Sequence, residues 1–209
     1  MKLIFASANA GKLREAAEIL PGVQILSAGE AGITEDIPET GVTLKQNAIQ
    51  KARYIWEKTG QDCFADDTGL EVDLLGGAPG VHTARYAGEL KSPAANIEKL
   101  LNEMALREKE ASMARTMGLN VRPCLRSARF RTCVCLILGG KEYFFDGVME
   151  GRIARERSGK GGFGYDPVFI PQGLNCTAAE LPEEEKNAIS HRGKAMRAMA
   201  AFIESLGQH

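Results

Sequence analysis

The spacing of apolar residues predicts that strands and helices alternate in the first part of the chain. Residues 2–7 form a short, mainly apolar run, which predicts a buried strand. Apolar side chains then recur at helical spacing over about residues 11–20, and Asn9 is suited to cap that helix. Pro21-Gly22 ends the helix, and residues 23–26 predict a second short strand.

A second helix is predicted to start at a capping box, Thr43-Leu44-Lys45-Gln46, and to end at Gly60, because apolar residues again recur with the helical period. Residues 63–65 predict a strand that leads directly into Asp66-Asp67. Ser92-Pro93 has the composition of a further helix start.

The last part of the chain predicts a hairpin followed by a helix. Gly139-Gly140 separates two apolar stretches, residues 129–138 and 142–149, as the turn of a hairpin does. Residues 168–170 predict a short strand, and a last helix is expected over about residues 190–206. This order of elements predicts an α/β fold in which a mixed sheet carries helices on its faces.

Residues 107–128 lack a clear helical period and predict a loop or an irregular insertion. The stretch is rich in arginine, so RNA binding is an alternative function to consider. It has no interleaved aromatic residues, and the whole chain is slightly acidic, which argues against that function. The arginines concerned are Arg107, Arg115, Arg122 and Arg126 in this stretch, with Arg129 and Arg131 directly after it.

The composition excludes several classes of protein. The 209 residues suffice for one large domain or two closely joined lobes, and the formal net charge of −1 does not suggest a protein that binds nucleic acid or anionic membranes. No apolar run approaches the ~18 residues that a membrane span needs.

Five cysteines without a Cys-x-x-Cys spacing indicate reduced thiols in a cytoplasmic protein: Cys63, Cys124, Cys133, Cys135 and Cys176. The histidines are too scattered for a zinc site, so oxygen atoms are expected to hold any metal: His82, His191 and His209.

Three segments suggest a site for phosphate and metal. Ser7-Ala8-Asn9-Ala10-Gly11-Lys12 leads from a strand into a helix N-terminus, where free N–H groups bind phosphate. It lacks the second glycine and the Lys-Ser/Thr pair of a P-loop, so an ordinary capped turn is the alternative. Asp66-Asp67-Thr68-Gly69 offers two carboxylates that could bind Mg²⁺ or activate water, or else forms a solvated turn. Glu39 adds a loop carboxylate, which could also be a simple exposed acid.

Two later segments suggest a site for a nucleobase. Gly161-Gly162-Phe163-Gly164-Tyr165-Asp166-Pro167 surrounds aromatic rings with glycine, which suits stacking on a base, although a structural turn is the alternative. Asp166 could accept a hydrogen bond from a base or ribose, or anchor the loop. Ser190 is expected to cap the last helix, so His191 and Arg192 would oppose its dipole. Together with Lys186 they indicate a site for an anionic or keto-bearing ligand, or else a solvent-facing pair.

In combination, these segments resemble the inosine triphosphate pyrophosphatase family, and most of all its bacterial dITP/XTP pyrophosphatase branch. The matching stretches follow the family's order and span nearly the whole chain: residues 7–12, 43–53, 65–70, 76–80, 84–86, 161–167 and 190–193. The resemblance implies Mg²⁺-dependent hydrolysis of ITP, dITP and XTP to the monophosphate and pyrophosphate, which cleanses the nucleotide pool. It also implies one domain over residues 1–209, with an elongated mixed sheet, two lobes, a substrate groove between them, and a homodimer.

The resemblance also implies roles for individual residues. Residues 7–12 match the triphosphate-binding segment, and Asp67 matches the catalytic carboxylate, which accepts a proton and binds the metal. Glu39 matches a second metal ligand, and Thr68 matches a substrate-contacting position. The base and ribose pocket matches Phe163, Gly164, Tyr165, Asp166, Lys186, His191 and Arg192. Donors near Lys186 and Arg192 would favour the 6-keto group of hypoxanthine or xanthine over the 6-amino group of adenine.

Two rival functions stay open on the sequence alone. The related Maf-type nucleotide pyrophosphatases act on other nucleotides, including pyrimidines. A nucleotide-binding regulator would bind without hydrolysis, although the Asp66-Asp67 pair argues against it. The chain departs from the family's pattern in the stretch between about Arg107 and Arg129, which is longer and more basic than the usual connection.

Overall fold

The computed structural model describes residues 1–121 and 126–206. The strands in the described residues are β1 Lys2–Phe5, β2 Gln24–Ser27, β3 Cys63–Val72, β4 Pro79–Gly80, β5 Ser127–Leu138, β6 Lys141–Ile153 and β7 Phe169–Pro171. The α-helices are α1 Ala10–Ile19, α2 Leu44–Thr59, α3 Pro93–Thr116, α4 Glu183–Ile189 and α5 His191–Leu206. Within these described ranges, no helix combines the length and the apolar composition needed to cross a membrane.

The chain divides into two compact units. As far as its residues are described, the first unit holds Met1–Thr68, Arg131–Val148 and the chain from Asn187 onward. The second unit holds Gly69–Phe130 and Met149–Lys186, with the same restriction. The strands β3, β5 and β6 therefore contribute residues to both units.

The first unit is a sheet with helices on both faces. Its strands lie in the order β2-β1-β3-β5-β6, and β1 is parallel to both β2 and β3. Because successive side chains of a strand point to opposite faces, Ile4 and Phe5 belong to different core clusters. Ile4 packs in the cluster that α2 covers, whereas Phe5 packs in the cluster that α1 and α5 cover. The ring of Phe5 stacks on that of Phe64, with centroids 4.4 Å apart.

The second unit adds short antiparallel pairings to the ends of the long strands. β4 pairs with the last part of β3, where Leu70 lies opposite Gly80, and β7 pairs with the last part of β6. Helix α3 buries Ile97, Leu100 and Met104. With parallel pairs in the first unit and antiparallel pairs here, the prediction of a mixed α/β fold is confirmed.

Two local predictions from the sequence are confirmed. Thr43 is the N-cap of α2, since its Oγ1 accepts a hydrogen bond from the backbone N of Gln46 at 3.1 Å. The Gln46 side chain accepts from the backbone N of Val42 at 2.8 Å, one residue before the cap. Gly139 and Gly140, with φ of 56° and 77°, connect β5 to β6 in the left-handed conformation that a tight hairpin turn requires.

The prediction of irregular structure over residues 107–128 is wrong for its first half. Helix α3 continues unbroken to Thr116, and β5 already begins at Ser127. The extension consists largely of strong helix formers such as Ala, Glu, Lys, Arg and Met. Met113 in this extension and Leu106 just before it are mostly exposed, so no buried stripe reveals the helix in the sequence. Residues 122–125, which include Arg122 and Cys124, lie outside the described residues.

Candidate active site

The turn between β1 and α1 is held by its own polar side chains. Asn9 is the N-cap of α1, and its Oδ1 accepts from the backbone N of Lys12 at 3.1 Å. The backbone N of Asn9 in turn donates to Ser7 Oγ at 3.2 Å. The capped turn foreseen as one alternative is therefore present. It also directs a cation inward, because Lys12 Nζ lies 2.9 Å from Oδ1 of Asp66.

Asp66 lies at the centre of a buried ionic network. Its Oδ2 accepts from Nε of Arg192 at 2.9 Å, in addition to the contact with Lys12. Arg192 also donates to Glu15 at 2.8 Å, and Ser190 Oγ donates to the same carboxylate at 3.1 Å. Burial alone would raise the pKa of Asp66, but the charges of Lys12 and Arg192 outweigh it and hold the pKa well below its usual range. Asp66 is thus a permanent anion that organises two cations.

This network corrects one interpretation of the sequence. Arg192 does sit in the first turn of α5, where a cation opposes the helix dipole. Asp66 and Glu15 of the protein itself offset that charge, and because Arg192 is buried, the alternative of a solvent-facing residue is wrong for it. The predicted cap is also present, since Ser190 Oγ accepts from the backbone N of Gly193 at 2.9 Å.

Asp67 meets a different set of partners. Its Oδ2 accepts from the Asn47 amide at 3.1 Å, and its Oδ1 lies 3.3 Å from Nζ of Lys51. The same Nζ lies 2.5 Å from Oε1 of Glu39. Burial, reinforced by the negative charges of Glu39 and Asp66, raises the pKa of Asp67 against the opposing effect of Lys51. A carboxylate with a raised pKa is a better proton acceptor than an ordinary aspartate.

The carboxylates around Lys51 are too few to hold a metal by themselves, but they suit a magnesium ion that also binds water and phosphate. In the described residues, no group of three or more His, Cys, Asp or Glu side chains is arranged to hold a metal. Asp67 and Glu39 nevertheless converge on one ammonium group, which shows that both carboxylates reach the same small region. Mg²⁺ commonly takes only one or two protein carboxylates and completes its coordination with water and substrate phosphate.

Thr68 takes part in a third set of contacts. Its Oγ1 lies 2.7 Å from Oγ1 of Thr132, and Thr132 Oγ1 lies 2.5 Å from Nδ1 of His191. Thr132 is buried on β5, and His191 begins α5. The predicted residues Thr68 and His191 are therefore linked through a hydroxyl that the sequence did not single out.

The predicted base-binding segment lies in the second unit and is anchored there by Asp166. Its Oδ2 accepts from the backbone N of Phe163 at 2.7 Å and from Nζ of Lys186 at 2.6 Å. Gly162 has a φ of 70°, and a Cβ at this position would come within 2.1 Å of that oxygen. Of the two roles considered for Asp166, the contacts support the loop anchor.

The two aromatic rings of this segment have different environments. Phe163 is 44% exposed, and Lys186 Nζ lies 4.5 Å from the centroid of its ring. Tyr165 is buried, and its hydroxyl donates to the backbone O of Thr83 at 2.9 Å. Phe163 can therefore offer a ring face to a base, whereas Tyr165 supports the fold of the second unit.

The predicted site residues are distributed over both units. The first unit holds Ser7, Ala8, Asn9, Ala10, Gly11, Lys12, Glu39, Asp67, Thr68, His191 and Arg192. The second unit holds Phe163, Gly164, Tyr165, Asp166 and Lys186. Within the first unit, Lys12 and Arg192 meet at Asp66, and Glu39 and Asp67 meet at Lys51. Within the second, Phe163, Asp166 and Lys186 form one cluster.

Sequence reasoning missed several polar residues in these contacts. Asn47 and Lys51 lie four residues apart on α2 and are buried on the same side as Ala48 and Ala52. A lysine and an asparagine on a helix face that is otherwise apolar is the signal that could have identified them. Glu15 and Thr132 carry a weaker signal, because one polar residue beside apolar neighbours is common in both helices and strands.

Comparisons with known proteins agree over nearly the whole length. The model of the Ham1 family matches residues 3–202. The chain is 45% identical over 206 residues to the dITP/XTP pyrophosphatase of Flavobacterium psychrophilum, covering 98% of this chain and 100% of the relative. It is 43% identical over 205 residues to the dITP/XTP pyrophosphatase of Bacillus subtilis, covering 97% and 96% respectively. A solved HAM1 protein from Coxiella burnetii matches with a TM-score of 0.86 and 37% identity, over 98% of this chain and 99% of that one.

Proposed function

The chain belongs to the Ham1 family, and on that basis we propose that it is a dITP/XTP pyrophosphatase. It hydrolyses deaminated purine triphosphates (ITP, dITP and XTP) to the monophosphate and pyrophosphate, so that these purines are not incorporated into DNA or RNA. The observation that carries the chemistry is the pairing of Asp67 and Glu39 on Lys51. In this arrangement the proton acceptor Asp67 and the cation Lys51 lie next to each other, as hydrolysis of a phosphate requires.

In this proposal, Asp67 accepts the proton of the attacking water, and its contacts with Asn47 and Lys51 fix the position of the carboxylate. Lys51 is buried and cationic, and the negative charges of Asp67, Asp66 and Glu39 raise its pKa even though burial lowers it. Its charge can offset the charge of a triphosphate next to Asp67. Asp67 and Glu39 would hold Mg²⁺, which when bound neutralises phosphate charge.

Asp66 has a supporting role in the same proposal. It fixes Lys12 at the end of the phosphate-binding turn and Arg192 at the start of α5. Lys12 keeps part of its surface exposed, with 21% of its side chain accessible. It can therefore contact an incoming phosphate while Asp66 holds its position.

In this proposal the enzyme distinguishes deaminated purines from adenine by hydrogen bonds to the base. Deaminated purines carry a 6-keto acceptor where adenine carries a 6-amino donor, and a site built from donors rejects the wrong partner by large factors. The roles of His191, Arg192, Lys186 and the segment from Phe163 to Asp166 in reading the base remain predictions. The homodimer, the cytoplasmic location and the expected groove likewise remain predictions.

The test is a panel of pyrophosphate-release assays with and without Mg²⁺. The proposal expects release from ITP, dITP and XTP in the presence of Mg²⁺, and much slower release from ATP, which carries a 6-amino group in place of the 6-keto group. Preference for dTTP or UTP would instead favour a Maf-type activity. Tight nucleotide binding without any release would identify a regulator and would reject the proposed hydrolysis.

A further inference from the structure

Thr132 is a buried hydroxyl held between two side chains of the first unit. It is 1% exposed on β5, with Oγ1 of Thr68 at 2.7 Å and Nδ1 of His191 at 2.5 Å. Thr68 lies two residues after Asp66 on β3, so the period of a strand places both side chains on one face. That face also carries Arg192, the residue that follows His191. Thr132 therefore contacts two residues, Thr68 and His191, that are proposed to contact the substrate.

Thr132 has one hydroxyl proton and two neighbours, so the direction of its hydrogen bond to Thr68 decides how it can bond to His191. A threonine hydroxyl has one proton to donate, and the neutral imidazole ring has one N–H and one acceptor nitrogen. If Thr132 donates to Nδ1, then His191 carries its proton on Nε2 and Thr68 donates to Thr132. If Thr132 instead donates to Thr68, then Nδ1 must carry a proton. The direction of the Thr68–Thr132 hydrogen bond thus determines the form of the histidine.

We infer that Thr132 is a positioning residue that donates to Nδ1 of His191 and so holds the ring in its Nε2–H form. The inference rests on the proposed function, because it is the 6-keto acceptor of a deaminated purine that requires a donor. In this form His191 offers an N–H at Nε2, whereas the opposite neutral form offers a lone pair that would suit the amino group of adenine. Thr132 would then contribute to substrate choice without touching the substrate.

The burial of Thr132 is what makes this control effective. An imidazole in water exchanges between its two neutral forms, but a buried acceptor left without a partner destabilises one of them. In the described residues, no buried side-chain nitrogen or oxygen lacks a hydrogen-bond partner. Replacing the hydroxyl of Thr132 removes the partner that Nδ1 of His191 has in the structure, and so alters the balance between the two neutral forms of the ring.

The first test measures which ring nitrogen of His191 carries the proton, by ¹⁵N NMR of protein labelled at histidine. The sequence has three histidines, so His82→Gln and His209→Gln variants assign the His191 signals by elimination. The inference expects an unprotonated Nδ1 and a protonated Nε2 in the wild type. It also expects Thr132→Val to disturb that pattern and Thr132→Ser, which keeps the hydroxyl, to restore it. Thr132→Ala repeats the measurement if the valine variant does not fold.

The second test measures selectivity. Thr132→Val should lower kcat/KM for dITP by about tenfold, mostly through KM, as expected for loss of one buried hydrogen bond. The ratio of kcat/KM for dITP to that for dATP should fall with it, and Thr132→Ser should retain both values. Thr116→Val is the matched control, because the exposed Thr116 hydroxyl donates to the backbone oxygen of Ser112 within α3.

The outcomes separate this inference from the proposed function. A wild-type His191 protonated at Nδ1, or a Thr132→Val variant with unchanged ring signals and unchanged selectivity, would overturn the role of Thr132. If the wild type releases no pyrophosphate from any purine triphosphate, the proposed function fails. In that case the role in substrate choice fails with it, while the NMR result still decides whether Thr132 donates to Nδ1.

Discussion

Asp66 and Asp67 are consecutive residues of β3 whose carboxylates meet opposite environments. Asp66 contacts Lys12 and Arg192 on the side of α1 and α5, whereas Asp67 contacts Asn47 and Lys51 of α2. The alternation of side chains along a strand produces this separation. As a result the pKa of Asp66 is lowered and that of Asp67 is raised.

This contrast answers a question that the sequence left open. Two adjacent carboxylates could act together on one metal, or one could support the other. Asp66 is almost completely buried and neutralised by two cations, which suits a residue that fixes positions. Asp67 shares Lys51 with Glu39, and this convergence of two carboxylates suits the proton acceptor and metal ligand that we propose.

Asp67→Asn should abolish turnover while the protein stays folded. An amide accepts a proton poorly and is a weaker Mg²⁺ ligand than a carboxylate, so kcat for dITP should fall by a factor on the order of 10³. Pyrophosphate release measures the loss, and circular dichroism checks the fold. Asp36→Asn, at an exposed acid, serves as the control and should keep wild-type activity. Near wild-type hydrolysis by folded Asp67→Asn would remove this residue from the mechanism.

Asp66→Asn should act mainly on stability. Arg192 is buried and would lose the carboxylate of Asp66 as a partner, and breaking a buried ion pair is strongly destabilising. We expect the free energy of unfolding to fall by about 3 kcal/mol, measured by urea denaturation. Asp67→Asn is the comparison and should change stability much less, because burial already disfavours its charge. Equal losses in the two variants would contradict the division of roles.

Lys51→Met should lower kcat strongly. The substitution keeps an unbranched side chain but removes the charge that lies between Glu39 and Asp67. Loss of one group that stabilises developing charge costs about 10²-fold or more in rate. Lys45→Met on the same helix is the control, since Lys45 is exposed and contacts the ring of Phe144. Steady-state assays with dITP would compare the two variants, and similar kcat values would argue against a role for Lys51.

Elements with strong local signals could be predicted from the sequence. The caps at Asn9 and Thr43, the hairpin at Gly139-Gly140 and the last helix are set by short-range chemistry, and the structure places them as expected. The end of α3 could not be predicted in this way. Its continuation depends on intrinsic helix propensity, and it lacks the apolar periodicity by which helices are recognised.

The partners of the site residues could not be predicted in the same way. Arg192 pairs with Glu15 and Asp66, which are 177 and 126 residues away in sequence. Such pairs arise when separate elements pack on one face of the sheet, and no local pattern encodes them. The sequence therefore identified the charged segments but could not show that Arg192 is neutralised within the protein.

Phe163→Ala should raise KM for ITP and XTP. Phe163 is the partly exposed ring of its segment, and loss of one stacking contact is worth about 1–3 kcal/mol, or roughly tenfold in KM. Steady-state kinetics with both substrates would measure it. Phe163→Tyr keeps the aromatic face and should retain the wild-type KM. An unchanged KM in the alanine variant would mean that this ring does not contact the base.

Glu108→Gln should weaken the second unit in a pH-dependent way. Burial would raise the pKa of Glu108 from its usual 4.5, but the hydrogen bond and charge of Arg126, with the charge of Arg155, lower it. A lowered pKa contributes stability that is fully present above the ordinary glutamate pKa and is lost as pH falls through the folded value. Near neutral pH the variant should therefore lose about 1–2 kcal/mol of unfolding free energy.

The difference from the wild type should begin to shrink as the pH falls below about 4.5, and it should vanish below the lowered pKa of folded Glu108, where both proteins carry a neutral side chain at this position. Urea denaturation at several pH values measures this difference. Glu110→Gln is the matched control on the same helix, since Glu110 is exposed and pairs only locally with Arg107. Its substitution should cost less than about 0.5 kcal/mol at any pH. A Glu108→Gln difference that stays constant with pH would show that packing, rather than the ion pair with Arg126, stabilises this position.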